Sequence, residues 1–263
     1  MSRRYIVLAV ISILLALGCF RLSKWQVDRL AQRRSRNALL AERLATPPAP
    51  LSAIPADTAQ GHYRRVRVQG VFDYDRELAL ALRSRDGSPG VYILTPMRLS
   101  DGTTVLTNRG WVYAADGMNV DFARWREGNS GDSRYSATVE GFLETYVASR
   151  GPVTLAGRPQ LVRRLVRDSL LQRLGGDSTL FPYVVVMTNP SPVESAAPAR
   201  LAPPALSDGP HLSYAFQWGI FGVIALAGMG LAVRRGMTED RAALSATSAG
   251  QGIARAPTRT AND

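Results

Sequence analysis

Two uncharged apolar stretches bracket this chain, and they constrain its fold more than any other feature. The first covers residues 5–20 (YIVLAVISILLALGCF) and the second residues 212–233 (LSYAFQWGIFGVIALAGMGLAV). As a helix the first is about 24 Å long, short of a hydrocarbon core about 30 Å thick. Arg3 and Arg4 before it, with Arg21 and Lys24 behind, extend it by snorkelling, and Trp25 stands where an interfacial anchor belongs. A cleaved signal peptide is the rival reading, and Leu17-Gly18-Cys19 invites a lipoprotein version of it. Ala16, three residues before the cysteine, makes a poor lipobox, so a retained anchor over 1–23 is expected. The second stretch gives about 33 Å of helix, enough to span with some tilt. A buried core helix is the bland alternative. Length and the following Arg234-Arg235 pair favour a transmembrane helix over 211–235. Gly219, Gly222, Ala225, Gly228 and Gly230 leave little bulk, so the first span or a partner helix can approach closely.

Charge sets the orientation, with one conflict. Arg234, Arg235 and Arg241 follow the second span, whereas the twenty residues before it hold only Arg200, which places the region after the span in the cytoplasm. The first span disagrees locally, because Arg21, Lys24, Arg29, Arg33, Arg34 and Arg36 follow it. The rule is weak for long translocated domains, so the second span decides. The expected location is a bacterial-type inner membrane with both termini cytoplasmic and the central domain periplasmic.

The net charge of +11 raises the question of nucleic acid. Basic residues are spread along the chain among acidic ones, with no stripe of arginine and aromatics, so no nucleic-acid partner is expected. The single cysteine, Cys19, lies in the first apolar stretch, so the central region has no disulfide.

Between the spans, residues 24–45 read as an amphipathic helix with an apolar stripe of Trp25, Leu30, Leu39, Leu40 and Leu44, ended by Pro47-Pro48. Strand patterns follow at 63–72, 76–85, 91–99, 103–113, 135–147 and 183–188, with turns at 86–90 and at Asp101-Gly102. A helix is predicted over 160–174, closed by Gly175-Gly176. The fold class is α+β: an antiparallel sheet, open to curling into a barrel, with peripheral helices and two flanking transmembrane helices. The expected divisions are an extracytoplasmic domain over 24–188, a Pro-rich linker over 189–210 and a disordered cytoplasmic tail over 236–263.

Four blocks then carry a resemblance. They are Lys24-Trp25-Gln26 with Arg29; YRRVRVQGVFDYDREL at 63–78; Pro89-Gly90, Leu94-Thr95-Pro96, Asp101-Gly102 and Asn108-Arg109-Gly110-Trp111-Val112; and His211 through Trp218 (HLSYAFQW). In this order, between two spans, they resemble the Surfeit-locus-1 family of cytochrome c oxidase assembly factors, across about residues 10–235. Asp208-Gly209-Pro210 departs from the Asn or Arg that the family usually carries before this histidine. The resemblance implies a membrane-bound biogenesis factor for the haem–copper oxidase, acting as a chaperone that receives haem a and passes it on. The implied partners are the oxidase catalytic subunit, haem A synthase and the lipid bilayer.

His211 is the candidate axial ligand to haem iron, which takes a neutral imidazole. On a helix Tyr214, Ala215 and Trp218 share its face, and Tyr214 and Trp218 are candidate cofactor contacts forming an aromatic ledge. The plain alternative makes Tyr214 and Trp218 interfacial belt residues and His211 a polar helix-end residue. No second axial ligand stands nearby in sequence. His62 reads as a solvated loop residue. Arg109 either pairs with a carboxylate or clamps a propionate. Hydrolase, phosphate-binding, dinucleotide and zinc-protease motifs are missing, so no enzyme activity is expected, and two distant histidines with one cysteine do not make a zinc or copper site. A cofactor-free scaffold for oxidase subunits remains the alternative function.

Overall fold

The structure, a computed structural model, describes residues 3–126, 133–148, 153–155, 157–174, 179–189 and 197–253. Contacts divide the chain into unit 1, residues 1–38 and 207–263, and unit 2, residues 39–206. The helices are α1 (Arg3–Ala45), α2 (Thr58–Gly61), α3 (Arg167–Arg173) and α4 (His211–Ile253). The strands are β1 (Ala49–Pro50), β2 (Arg65–Asp73), β3 (Leu78–Arg85), β4 (Ser88–Arg98), β5 (Thr104–Tyr113), β6 (Arg134–Thr145), β7 (Thr154–Leu155), β8 (Arg158–Val162) and β9 (Leu180–Met187).

Unit 1 is an antiparallel helix pair. Tyr5 meets Glu239, Ser23 meets Ala215, and Gln26 meets His211, so the contacts run in opposite senses along α1 and α4. Both helices are long and apolar enough to cross a membrane, and little of either apolar stretch is buried inside the protein, unlike a core helix. Leu14 is 63% exposed and Phe216 66% exposed, a surface suited to lipid. On α1 the buried residues Ala16, Cys19, Gln26 and Leu30, with Ser23 between them, recur at alternating steps of three and four. That spacing is the seam of a left-handed helix pair.

Two expectations about the helices are corrected. The amphipathic helix over 24–45 is no separate element, because it continues the first span without a break. Nothing at 20–24 forces a break, as neither proline nor glycine stands there. The stretch after Arg235 is helical through Ile253, where disorder was expected. Its run of Met, Glu, Arg and Ala favours helix over coil. Residues 254–263 lie outside the described residues.

Unit 2 is built on a sheet in the order β1-β2-β6-β9-β5-β4-β3-β8-β7. A further pairing of Val71 with Arg98 and Phe72 with Met97 joins β2 to β4. The expected antiparallel sheet is in fact mixed, because β1–β2, β3–β8 and β5–β9 run parallel. β9 is buried from Tyr183 to Met187 with no alternation. Val185 packs into a cluster with Val66, Phe72 and Leu143, while Val184 packs into another with Leu80, Leu106 and Leu170. A strand covered on both faces reads as a continuous apolar run.

Turn chemistry agrees with the sequence. Asp86 and Gly87 both take positive φ (51° and 80°) between paired Arg85 and Ser88, the geometry of a tight hairpin. At the β4–β5 turn Asp101 accepts a hydrogen bond from the Thr103 amide at 2.8 Å, and Gly102 has φ 84°. The helix expected over 160–174 begins as strand: β8 takes 158–162 against β3, and only Arg167–Arg173 is helical. Gly175-Gly176 and residues 190–196 of the expected linker lie outside the described residues. Residues 197–206 belong to unit 2, where Ala199 bridges Trp111.

Candidate functional site

The first turn of α4 brings His211 against α1. Its ring Nδ1 lies 2.9 Å from Oε1 of Gln26, which is only 9% exposed. One helical turn further on, the Ser23 hydroxyl donates to the Ala215 carbonyl at 2.8 Å, and Ala215 is buried. The segment leading into α4 is tied to α1 as well. Arg33 Nε and Asn37 Nδ2 donate to the Ser207 carbonyl at 2.9 and 3.1 Å, and Arg34 pairs with Asp208 at 2.9 Å. Arg33 and Arg34 belong to the group that contradicted the charge rule after the first span, and here they have a local role within unit 1.

The other edge of the half-buried imidazole lies beside Gly209. Gly209 takes φ 70°, and a Cβ added there would lie 3.6 Å from His211 Cδ2 and 3.8 Å from Nε2. Just past His211, an apolar groove of about 400 Å³ begins at Leu212 and runs between α1 and α4 past Val27, Phe216 and Gly219 to Ile224.

The sequence-predicted residues separate here. Ala215 faces α1, so helix packing occupies the middle of the proposed ledge. Tyr214 is 46% exposed, pointing off that contact, and Trp218 is half-buried with its ring edge-on to Phe221 at 5.9 Å. His211 and Trp218 therefore share the half-buried border of the helix pair, and Tyr214 does not. Gln26, named in sequence only as part of a block, is the neighbour that sequence reasoning missed. Among the described residues no group of three metal-ligating side chains occurs.

Arg109 has a different fate from a propionate clamp. Ile93 pairs with Gly110 and Leu94 with Asn108, so Arg109 is the extra residue of a β-bulge in β5. Its guanidinium is 0% exposed and bonds to Glu77 at 3.1 Å and to the Trp125 carbonyl, beside the stacked rings of Phe72 and Tyr74. Arg126 holds the other Glu77 oxygen at 3.0 Å, and Thr95 donates to the first at 2.9 Å. Burial pushes the Glu77 carboxyl up, against the pull of Arg109 and the Arg126 and Thr95 hydrogen bonds. The carboxylate alternative for Arg109 is the one observed. His62 is half-buried rather than solvated and stacks on Tyr63 at 3.7 Å. Burial, then Arg43, lowers its pKa.

The chemistry of unit 1 fits an axial haem contact on one side only: an imidazole with a hydrogen-bonded Nδ1, only glycine at 209 beside its Nε2 edge, and an apolar groove that starts at the next residue, Leu212. In build this is a chain with a sheet domain set, in sequence, between two helices long and apolar enough to cross a membrane. The sequence matches the SURF1 family over residues 13–223, and the chain belongs to that family, which is linked to cytochrome c oxidase assembly. An uncharacterized SURF1-like protein of Mycobacterium tuberculosis is 26% identical over 244 residues, 86% of this chain and 82% of its own length. Surfeit locus protein 1 of Homo sapiens is 34% identical over 116 residues, 38% of this chain and 39% of its own. A SURF1-like protein of Monosiga brevicollis is 36% identical over 107 residues, 36% of this chain and 41% of its own.

Proposed function

We propose that this protein is a membrane-anchored assembly factor for haem–copper cytochrome c oxidase that handles haem a on its way to the catalytic subunit. The observation that carries the reading is the His211 imidazole, held at Nδ1 by Gln26 and one residue before Leu212, which lines an apolar groove of unit 1. Haem is cargo here: iron would take one bond from Nε2, and the macrocycle would rest on apolar surface. A single protein ligand suits transfer better than storage, since the opposite side stays available to a recipient. Haem A synthase is the expected donor and the oxidase catalytic subunit the recipient. Trp218 remains a candidate contact at the border of the site and Tyr214 a candidate contact on the exposed face of the same helix.

Unit 2 is assigned to the periplasm and both termini to the cytoplasm, on the arginines after the second apolar stretch. The β2–β4 pairing supports a sheet curled toward a barrel. The alternative of a cofactor-free scaffold predicts a different outcome from one experiment. His211→Ala should lose co-purified haem and lower oxidase maturation while expression and insertion persist. A variant that matures oxidase normally would favour the scaffold.

A further inference from the structure

We infer that Gln26 is the positioning residue of this site, fixing which nitrogen of His211 is offered to a ligand. The inference rests on the haem reading above and deepens it.

Gln26 sits on the packed seam of α1, between half-buried Ser23 and buried Leu30. A side-chain amide at such a position loses water and needs a partner in return. The partner is His211 Nδ1, at 2.9 Å from Oε1. An amide oxygen only accepts, so Nδ1 carries the hydrogen and Nε2 is left with its lone pair. The ring is thus held in one tautomer and one rotamer by a residue 185 positions away in sequence. Unrestrained, an imidazole turns about its side-chain bonds and exchanges tautomers. A ligand to iron must do neither while the bond forms.

The second observation is independent of Gln26. The Nε2 edge faces Gly209, the one residue type that puts no side chain against it, and φ 70° suits glycine there. One nitrogen is therefore engaged, and on the Gly209 side no side chain stands against the other, two features supplied by different parts of unit 1. Ser23, one turn from Gln26 on the same seam, bonds a backbone carbonyl instead, so the seam's two polar side chains hold the start of α4 at two heights.

The test uses the full chain in detergent and two readouts. His62 and His211 are the only histidines, so nitrogen NMR of protein labelled in histidine resolves both rings. Wild type should give the Nδ1–H form at His211 without any ligand, and Gln26→Leu should lose it, with His62 as the internal control. Titration with haem a, followed by absorption, should then give about 10–100-fold weaker binding for Gln26→Leu. Gln26→Glu keeps an acceptor and should retain the tautomer and most of the affinity, with a more negative midpoint potential for the bound haem. Wild-type protein that takes up no haem a overturns the underlying reading. Haem a uptake by wild type matched by Gln26→Leu, or an unchanged tautomer in that variant, overturns the inference alone.

Discussion

Glu77 and Arg109 form an ion pair at 3.1 Å in which neither side chain reaches water, the exposures being 1% and 0%. The pair closes two non-adjacent stretches of chain on one another. Glu77 stands just before β3, and Arg109 projects from the bulge of β5. Arg126 then ties the loop after β5 to the same carboxylate.

Glu77→Ala should destabilise unit 2 by about 3–5 kcal/mol, because it strands the Arg109 charge in a dry interior. Denaturant unfolding of the full chain, read by tryptophan fluorescence, measures the loss. The double variant Glu77→Leu with Arg109→Leu should recover part of it, since an apolar pair of similar volume leaves no orphaned charge.

Gly110→Ala should cost more than Gly87→Ala. Both positions have positive φ, 130° and 80°. A Cβ at Gly87 meets nothing within 4 Å, so only the conformational cost applies, about 1 kcal/mol. At Gly110 the added carbon would lie 2.5 Å from the Ala199 carbonyl oxygen, and the Trp111–Ala199 bridge would have to part. Parallel melting curves would separate the two, and equal costs would contradict the close approach.

Glu144→Gln should raise the melting temperature at neutral pH. Burial pushes the Glu144 carboxyl above the usual 4.5, with Arg83 only partly offsetting it. The native chain then keeps a proton that the unfolded chain has already released. Its contribution is fully present below the unfolded value and lost as pH rises through the raised folded one. The advantage of the glutamine variant should therefore shrink as pH falls toward 4.5, in melts taken across that range.

Gly209→Ala should reduce haem a uptake while leaving the His211 tautomer in place. Its methyl would cover the Nε2 edge without touching Gln26. Titration of the variant beside Gln26→Leu would thus give the same loss of binding with opposite NMR signatures.

Much of unit 2 was legible in sequence because its strands carry local signals. Val66 and Val68 alternate with polar neighbours, and the Asp86-Gly87 and Asp101-Gly102 turns mark where hairpins fold. Strand β8 was misread as helix because five residues at a sheet margin have no period of their own, and their pairing partner, Ala79-Leu80, lies some eighty residues away. The parallel pairing of β5 with β9 is likewise a property of the tertiary fold. At the site, His211 was legible from its place at the start of an apolar stretch. Gln26 was not, because a search for apolar stripes passes over a polar residue on a buried seam. Trp25, 45% exposed, and Leu39, 46% exposed, carry the apolar pattern of this stretch yet lie off the buried seam. The Asn108-Arg109-Gly110-Trp111 block made no chemical sense in one dimension. In the fold its members act on their surroundings, since Asn108 accepts from the Gly110 amide at 3.1 Å and Trp111 lies over the bare face of Gly90.

Because Arg33 and Asn37 both grip the Ser207 carbonyl, the polypeptide departs from the helix pair and returns to it through a single doorway. The whole sheet domain is, in connectivity, an insert at the bend of a helical hairpin. Both ends of the insert are held by side chains of the hairpin itself, so the helix pair carries its own closure. A short linker spanning residues 38 and 207 would be the simplest way to ask whether the hairpin is a self-sufficient module.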